Sequence, residues 1–203
     1  MNIISVYKTG GDFDREYVDR LYNGLRNNIE QDFNFICLTD SDEDIIGKRP
    51  LLDGLRGWWS KIELFKNKGK YLFFDLDTVI WDDIEILLDN LKKVNDKKLF
   101  MLDRFIPVNL KYYWNSGIMA WNGDWTEIYK YFQLRDMNTF RGDQDYLNHY
   151  MQSTHQEIFR VNDLCDYIYS YKHHCRNAIP EDAKIICFHG NPRPRKVNWL
   201  ESA

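Results

Sequence analysis

A chain of 203 residues with 27 Lys and Arg against 31 Asp and Glu, a formal net charge of -4, has no field strong enough to gather nucleic acid or an acidic membrane, so partners must be met at a local site. That length fits one large domain with a real core. No stretch approaches the ~18 apolar residues of a spanning helix, and no N-terminal segment has the pattern of a cleaved leader, so the chain is expected to be cytoplasmic and to lack a transmembrane segment.

The first expected strand is NIISVY (2–7), separated by a Gly-Gly turn from a helix over 13–28, where Tyr17, Leu21, Tyr22 and Leu25 recur at helical spacing. FNFICL (33–38) is strand again. Beyond a polar loop with Gly47 and Pro50, GWWSKIELFKNKG (57–69) reads as a helix that puts Trp58, Ile62 and Phe65 on one face and stops at Gly69. YLFF (71–74) is the next strand. A helix over 83–94, strands over 98–102 and 115–121, helices over 124–135 and 143–151, and a last strand over 184–188 complete the series. Strands alternating with helices at this interval predict a single α/β domain over 1–203, with a mostly parallel central sheet flanked by helices. The cysteines Cys37, Cys165, Cys175 and Cys187 form no C-x-x-C pair and are expected as buried, reduced thiols. Aromatics, at 16%, suit a core and also a groove that stacks rings.

Each strand is followed by polar residues: Tyr7-Lys8, Thr39-Asp40, Asp75-Leu76-Asp77, Asp103-Arg104 and His189-Gly190. Ligands of open parallel sheets bind beyond the carboxyl ends of the strands, so these clusters are expected to converge on one edge. The sharpest is YLFFDLDTVIWDD (71–83), in which an apolar strand runs into two acids. Residues i and i+2 of an extended segment project to one side, so Asp75 and Asp77 can address one point. A divalent cation there would cancel their repulsion, and hard oxygen ligands suit Mg²⁺, Mn²⁺ or Ca²⁺. A bare D-x-D is most often a solvated turn, but here apolar Val79, Ile80 and Trp81 follow it as well.

GWWSKIELFKNKGKYLFFDLDTVI resembles the donor-side core of the GT-A-fold nucleotide-sugar glycosyltransferases, in which a Lys-bearing helix leads into the strand ending in D-x-D. WNSGIMAWN (114–122), GDQDYLN (142–148) and IICFHGNPRPRKV (185–197) resemble further motifs of that superfamily, in the same order. SYKHHCR (170–176) followed by FHGNPRP is similar to a short bacterial and viral branch related to the family-eight galactosyl- and glucosyltransferases. The chain departs from the family-eight spacing after the histidine and has Arg193 where the short branch typically has Lys. Arg also grips phosphate bidentately.

The resemblance implies a sugar transfer from a nucleoside-diphosphate sugar, expected to be a UDP-sugar, to a hydroxyl of a glycan or glycoconjugate. Asp75, Asp77 and His189 would hold the metal, and a nitrogen ligand leans the choice to Mn²⁺, with Mg²⁺ as the alternative. Lys172 and Arg193, with Arg195 and Lys196 behind them, would offset the charge of the leaving diphosphate. Tyr7 would stack on the base, and Asp40 would accept a hydrogen bond from the base edge or the ribose, with Thr39 alongside. Lys8, Lys61 and Gly190 would meet the donor, and Asn115 and Ser116 the sugar. Asp143 or Asp145 would act as general base if configuration inverts. If it is retained, Gln144 or the leaving phosphate would assist. The donor part would cover about 1–105 and the acceptor and metal-closing part about 106–203, with a further domain or subunit helping to hold the acceptor.

Two other readings fit parts of the chain. FFDLDTVI also matches the haloacid-dehalogenase motif, in which Asp75 would attack a phosphoryl group, although that motif normally opens a chain. A non-catalytic nucleotide-sugar-binding module would keep the metal for recognition alone.

Overall fold

Strands with apolar residues at both parities are built to be covered on two faces. The computed structural model describes residues 1–105 and 113–197; the outer ends of the expected second part, 106–112 and 198–203, lie outside the described residues. In chain order the elements are β1 (Asn2–Tyr7), α1 (Arg15–Asn27), β2 (Asn34–Thr39), β3 (Lys48–Pro50), a 3₁₀ helix (Gly57–Lys66), β4 (Tyr71–Phe74), β5 (Thr78–Ile80), α2 (Glu85–Lys93), β6 (Lys98–Asp103), β7 (Trp114–Asn122), α3 (Thr126–Tyr131), α4 (Asp136–Thr139), α5 (Asp143–Ser153), β8 (Ile158–Arg160), β9 (Ile168–Ser170) and β10 (Ile185–Cys187).

The main sheet has the order β3-β2-β1-β4-β7-β6-β8. All its neighbouring pairs are parallel except those of β7, which runs against β4 and β6. A small second sheet sets β10 between β5, antiparallel, and β9, parallel. Alternation along the strands divides the core in two. Ile3, Cys37, Leu72, Phe74 and Phe100 face Leu21 and Leu25 of α1 and Leu87 and Leu91 of α2. Ile4, Ile36, Phe73, Leu99 and Met101 face Trp59, Ile62 and Phe65 of the 3₁₀ helix and Leu147 of α5. The expected α/β architecture, a mostly parallel sheet flanked by helices, is therefore the observed one. All four cysteines are buried and unpaired, and among the described residues no helix is long and apolar enough to cross a membrane.

Two helices differ from their expected form. The segment from Gly57 winds as a 3₁₀ helix, and among its buried residues Trp59, Ile62 and Phe65 recur every third position, as three residues per turn require. Trp58, which α-helical spacing would bury with Ile62 and Phe65, is turned outward and is 57% exposed. The helix expected over 124–135 is shorter, Thr126–Tyr131, and a separate short helix, α4, follows beyond that span. Asp124 Oδ1 accepts from the Thr126 N–H at 2.9 Å and starts α3 there, and Asp136 Oδ2 accepts from the Gln133 N–H at 2.8 Å and turns the chain before α4. β3, β5, β8 and β9, three residues each, are too short to print a period in the sequence.

Candidate active site

The acid pair sits in a turn locked from two sides. The Asp75 N–H donates to the Gly117 carbonyl of β7 at 2.8 Å, and the Asp75 carbonyl accepts from the Thr78 N–H at 3.0 Å. Leu76 between the acids is buried. The Asp77 carbonyl accepts from the Phe188 N–H at 3.1 Å, so β10 leaves its sheet beside the turn and delivers His189 there. Lys8, Lys61, Asp75, Asp77, Asn115, Ser116, Asp143, Gln144, Asp145, His189, Gly190 and Arg193 line one cavity of about 640 Å³, in the size range of small-molecule sites.

Six expected residues do not line it: Tyr7, Thr39, Asp40, Lys172, Arg195 and Lys196. Tyr7 shares the parity of Ile3 on β1, so its ring is buried in the core beneath α1, and Val6 lines the cavity in its place. The Thr39 hydroxyl is buried and accepts from the Ser41 N–H at 3.0 Å. Asp40 is engaged by Lys8, the Thr9 N–H at 2.9 Å and the Thr9 hydroxyl at 3.0 Å, which ties the ends of β1 and β2 together. Lys172 stands behind Gly190, with its Nζ 3.1 Å from where a Cβ on that glycine would lie. Gly190 has φ +81°, a conformation glycine adopts without strain. Arg195 is drawn away to Asp14 and Glu16, where it covers the Tyr17 ring.

The positive charge that the acid pair demands is supplied by the chain itself. Lys61 Nζ lies 2.8 Å from Asp75 Oδ2, 3.4 Å from the Ser116 hydroxyl and 3.7 Å from Asp143 Oδ2. Burial alone would lower the Lys61 pKa, but the carboxylates of Asp143 and Asp75 outweigh it and raise it. Arg193 donates to Asp77 through one guanidinium nitrogen and to Asp12 at 2.6 Å through another, with its plane over Phe13 at 4.7 Å. Asp77 is raised by burial and by the charge of Asp75, against the pull of Arg193. Asp75 is raised by burial as well, against Lys61. Removing Lys61 would leave two carboxylates facing each other at low exposure. Lys61→Met is expected to cost about 3 kcal/mol in urea unfolding; a loss below about 0.5 kcal/mol would make Lys61 an ordinary surface charge.

His189 Nε2 is 2.7 Å from the Ser170 hydroxyl, and the ring stacks against Phe105 at 5.7 Å and His173 at 5.6 Å between centroids. Burial, then the nearby Lys172 and His173, bring its pKa down to about 4. Its imidazole is therefore neutral at pH 7 and has a lone pair to give. Among the described residues no three His, Cys, Asp or Glu side chains are gathered closely enough to hold a metal ion. The donor types of Asp75, Asp77 and His189 nevertheless suit a divalent cation, and all three line one cavity. To seat it, Arg193 would have to leave Asp77 and the His189 ring would have to leave Ser170.

On the far wall β7 bulges. Its pairing with β6 jumps from Met119 opposite Met101 to Asn115 opposite Leu102, and of the residues between, Ser116 and Gly117 lie beside Lys61 and Asp75 while Ile118 stays in the core. Asn115 Oδ1 accepts from the Gly117 N–H at 2.7 Å. At the start of α5, Asp143 Oδ2 is buried without a hydrogen-bond partner among the described residues, and Asp145 faces Arg104 at 3.9 Å. An unsatisfied buried carboxylate oxygen in a cavity wall is a natural place for a ligand hydroxyl. Trp58, Arg104, Phe105 and Arg141 also line the cavity, and Asp12 and Phe13 hold Arg193. None of these six was assigned to the site from the sequence. Only Arg104, as part of a polar strand end, carried a signal that pointed there.

No model of a protein family matches the chain, and no curated protein matches its sequence. Solved structures match its fold. The galactosyltransferase LgtC, in complex with donor and acceptor sugar analogs, superposes with a TM-score of 0.62 at 14% identity, over 96% of this chain and 89% of LgtC. An active-site mutant of LgtC gives 0.64 at 13%, over 100% and 95%. The glycosyltransferase GlyE of Streptococcus pneumoniae TIGR4 gives 0.64 at 13%, over 95% of this chain and 55% of GlyE. The chain thus has the α/β fold of the GT-A glycosyltransferases.

Proposed function

We propose that the protein is a metal-dependent glycosyltransferase that moves a sugar from a nucleoside-diphosphate sugar, a UDP-sugar by preference, to a hydroxyl of a glycan or glycoconjugate. The observation that carries this reading is the meeting, in one cavity at the strand ends, of an acid pair, a neutral imidazole, two cationic side chains and the hydrogen-bonding start of α5. The shared fold with LgtC and GlyE supports it. So do motifs similar to those of the family-eight enzymes and their short bacterial and viral branch, which would make it a hexosyltransferase. Unpaired, buried cysteines support a cytoplasmic location. The donor would occupy mainly the part over about 1–105 and the acceptor the part over about 106–203, with a further domain or subunit completing the acceptor's contacts.

In this reading Asp75, Asp77 and His189 would hold Mn²⁺, or Mg²⁺ in its place. The bound ion supplies Lewis-acid stabilisation of the departing diphosphate. Arg193 and Lys172 add positive charge along that diphosphate, and Lys61 favours the ionised form of Asp75. Asn115 and Ser116 orient the donor sugar. The bond from the anomeric carbon to the phosphate oxygen breaks, and a bond to the acceptor oxygen forms. The acceptor proton goes to Asp143 or Asp145 if configuration inverts, or to the leaving phosphate beside Gln144 if it is retained.

The test is incubation with Mn²⁺ and a panel of nucleotide sugars, following release of the free nucleoside diphosphate. Release that requires the divalent ion is expected. Release of inorganic phosphate from phosphorylated metabolites would favour dehalogenase-type chemistry on Asp75 instead. Tight nucleotide-sugar binding without turnover would favour a non-catalytic binding module.

A further inference from the structure

Trp58 is a large aromatic side chain left 57% exposed on the wall of a cavity, although its neighbour Trp59 is buried at 4%. Singly exposed apolar side chains are ordinary, but this indole lies on a cavity wall, where its face is open to a ligand. The wall beside it is fitted to the indole. Gly142, which precedes α5, has φ -178°, an extended conformation open to any residue, so its backbone does not call for glycine. Its surroundings do: a Cβ there would lie 3.2 Å from Trp58 Nε1 and 3.5 Å from Cδ1. Gly142 is followed directly by Asp143, whose buried Oδ2 has no hydrogen-bond partner among the described residues and only the Lys61 ammonium at 3.7 Å, and by Gln144, both on the same cavity wall. A flat apolar face flanked by carboxylate and amide groups is the combination that recognises a pyranose, which offers C–H bonds on one face and hydroxyls at its edge.

We propose that Trp58 is the platform on which the acceptor sugar lies, so that the acceptor is a pyranoside with an unbroken apolar face and Trp58 is a positioning residue that selects it. This rests on the glycosyltransferase reading of the cavity. A nucleobase is the other ring able to cover an indole, but the groups beside Trp58 suit hydroxyls, and the residues beyond the ends of β1 and β2, where a base was expected, lie on other elements.

The test needs no turnover. Methyl β-D-galactopyranoside, methyl β-D-glucopyranoside and uridine are titrated separately into the wild-type protein, Trp58→Ala and Trp58→Phe, and read by saturation-transfer NMR. A glycoside is expected to bind the wild type, to bind Trp58→Ala about ten-fold more weakly, equivalent to ~1.4 kcal/mol, and to be recovered in part by Trp58→Phe at an unchanged melting temperature. Equal glycoside binding by Trp58→Ala, no glycoside binding by the wild type, or a loss confined to uridine would each overturn the platform. UDP binding to the wild type, measured alongside, reports on the proposed function separately: its absence beside intact, Trp58-dependent glycoside binding would strike the donor site and leave the platform standing.

Discussion

Asp77→Ala should abolish sugar transfer while leaving the fold intact. Asp77 is buried, faces Asp75 two residues away, and is the carboxylate on which the proposed metal site most depends. Losing it removes one of three metal donors and with it the charge stabilisation of the leaving diphosphate. A drop in kcat/KM on the order of 10³-fold, about 4 kcal/mol, is expected, together with loss of Mn²⁺ binding by calorimetry. Stability should respond in the opposite sense. The native carboxylate is desolvated and repelled by Asp75, so its removal relieves an unfavourable interaction, while Arg193 keeps Asp12 as partner. The melting temperature is expected to stay within about 4 °C of the wild type or to rise. Ordinary turnover with metal affinity unchanged would reject the site.

Arg193→Ala should separate metal binding from nucleotide binding. In the structure Arg193 occupies the carboxylate that a cation needs, so metal and guanidinium compete for Asp77. Without the arginine, Mn²⁺ affinity is expected to tighten about ten-fold, ~1.4 kcal/mol, and UDP affinity to fall by at least as much, because the freed guanidinium is the group proposed to meet the diphosphate. Calorimetry at pH 8 is the appropriate measurement. Burial and Asp75 make Asp77 hold its proton more tightly than a free carboxylate, and the protonated form is a poor ligand. Unchanged Mn²⁺ affinity would mean that Arg193 leaves Asp77 at no cost, and unchanged UDP affinity that it meets no phosphate.

How much of this the sequence revealed depended on the range of the interactions. Strands such as 71–74, with apolar residues at both parities, and helices such as 15–27, with Tyr17, Leu21 and Leu25 on one face, are local patterns and were readable. The position of the acid pair beyond a strand end was readable for the same reason. The 3₁₀ winding was not, because the sets Trp58, Ile62, Phe65 and Trp59, Ile62, Phe65 fit different helix pitches, and only packing against Phe132 and the sheet decides between them. Tyr7 shows a parity error: a residue at a strand end faces the core or the cleft by its register, and register is fixed by neighbouring strands. The partner of Asp77 was the largest gap. A positive group was demanded by the acid pair, and the chain supplies it from 116 residues away, a separation no local pattern encodes.

That separation bears on the order in which the molecule comes together during synthesis. β1 through β4 can pair as soon as they emerge, and Lys61 reaches Asp75 across only 14 residues. Asp77, by contrast, must wait for residue 193, and the loop carrying Asp12 and Asp14 waits for contacts 181 residues downstream. Pairings this distant form last, because closing a long loop carries an entropic penalty that only a nearly finished nucleus can offset. A nascent chain therefore carries a half-neutralised acidic turn until residue 193 leaves the ribosome, and shortening the chain ahead of residue 193 would trap it in that immature form.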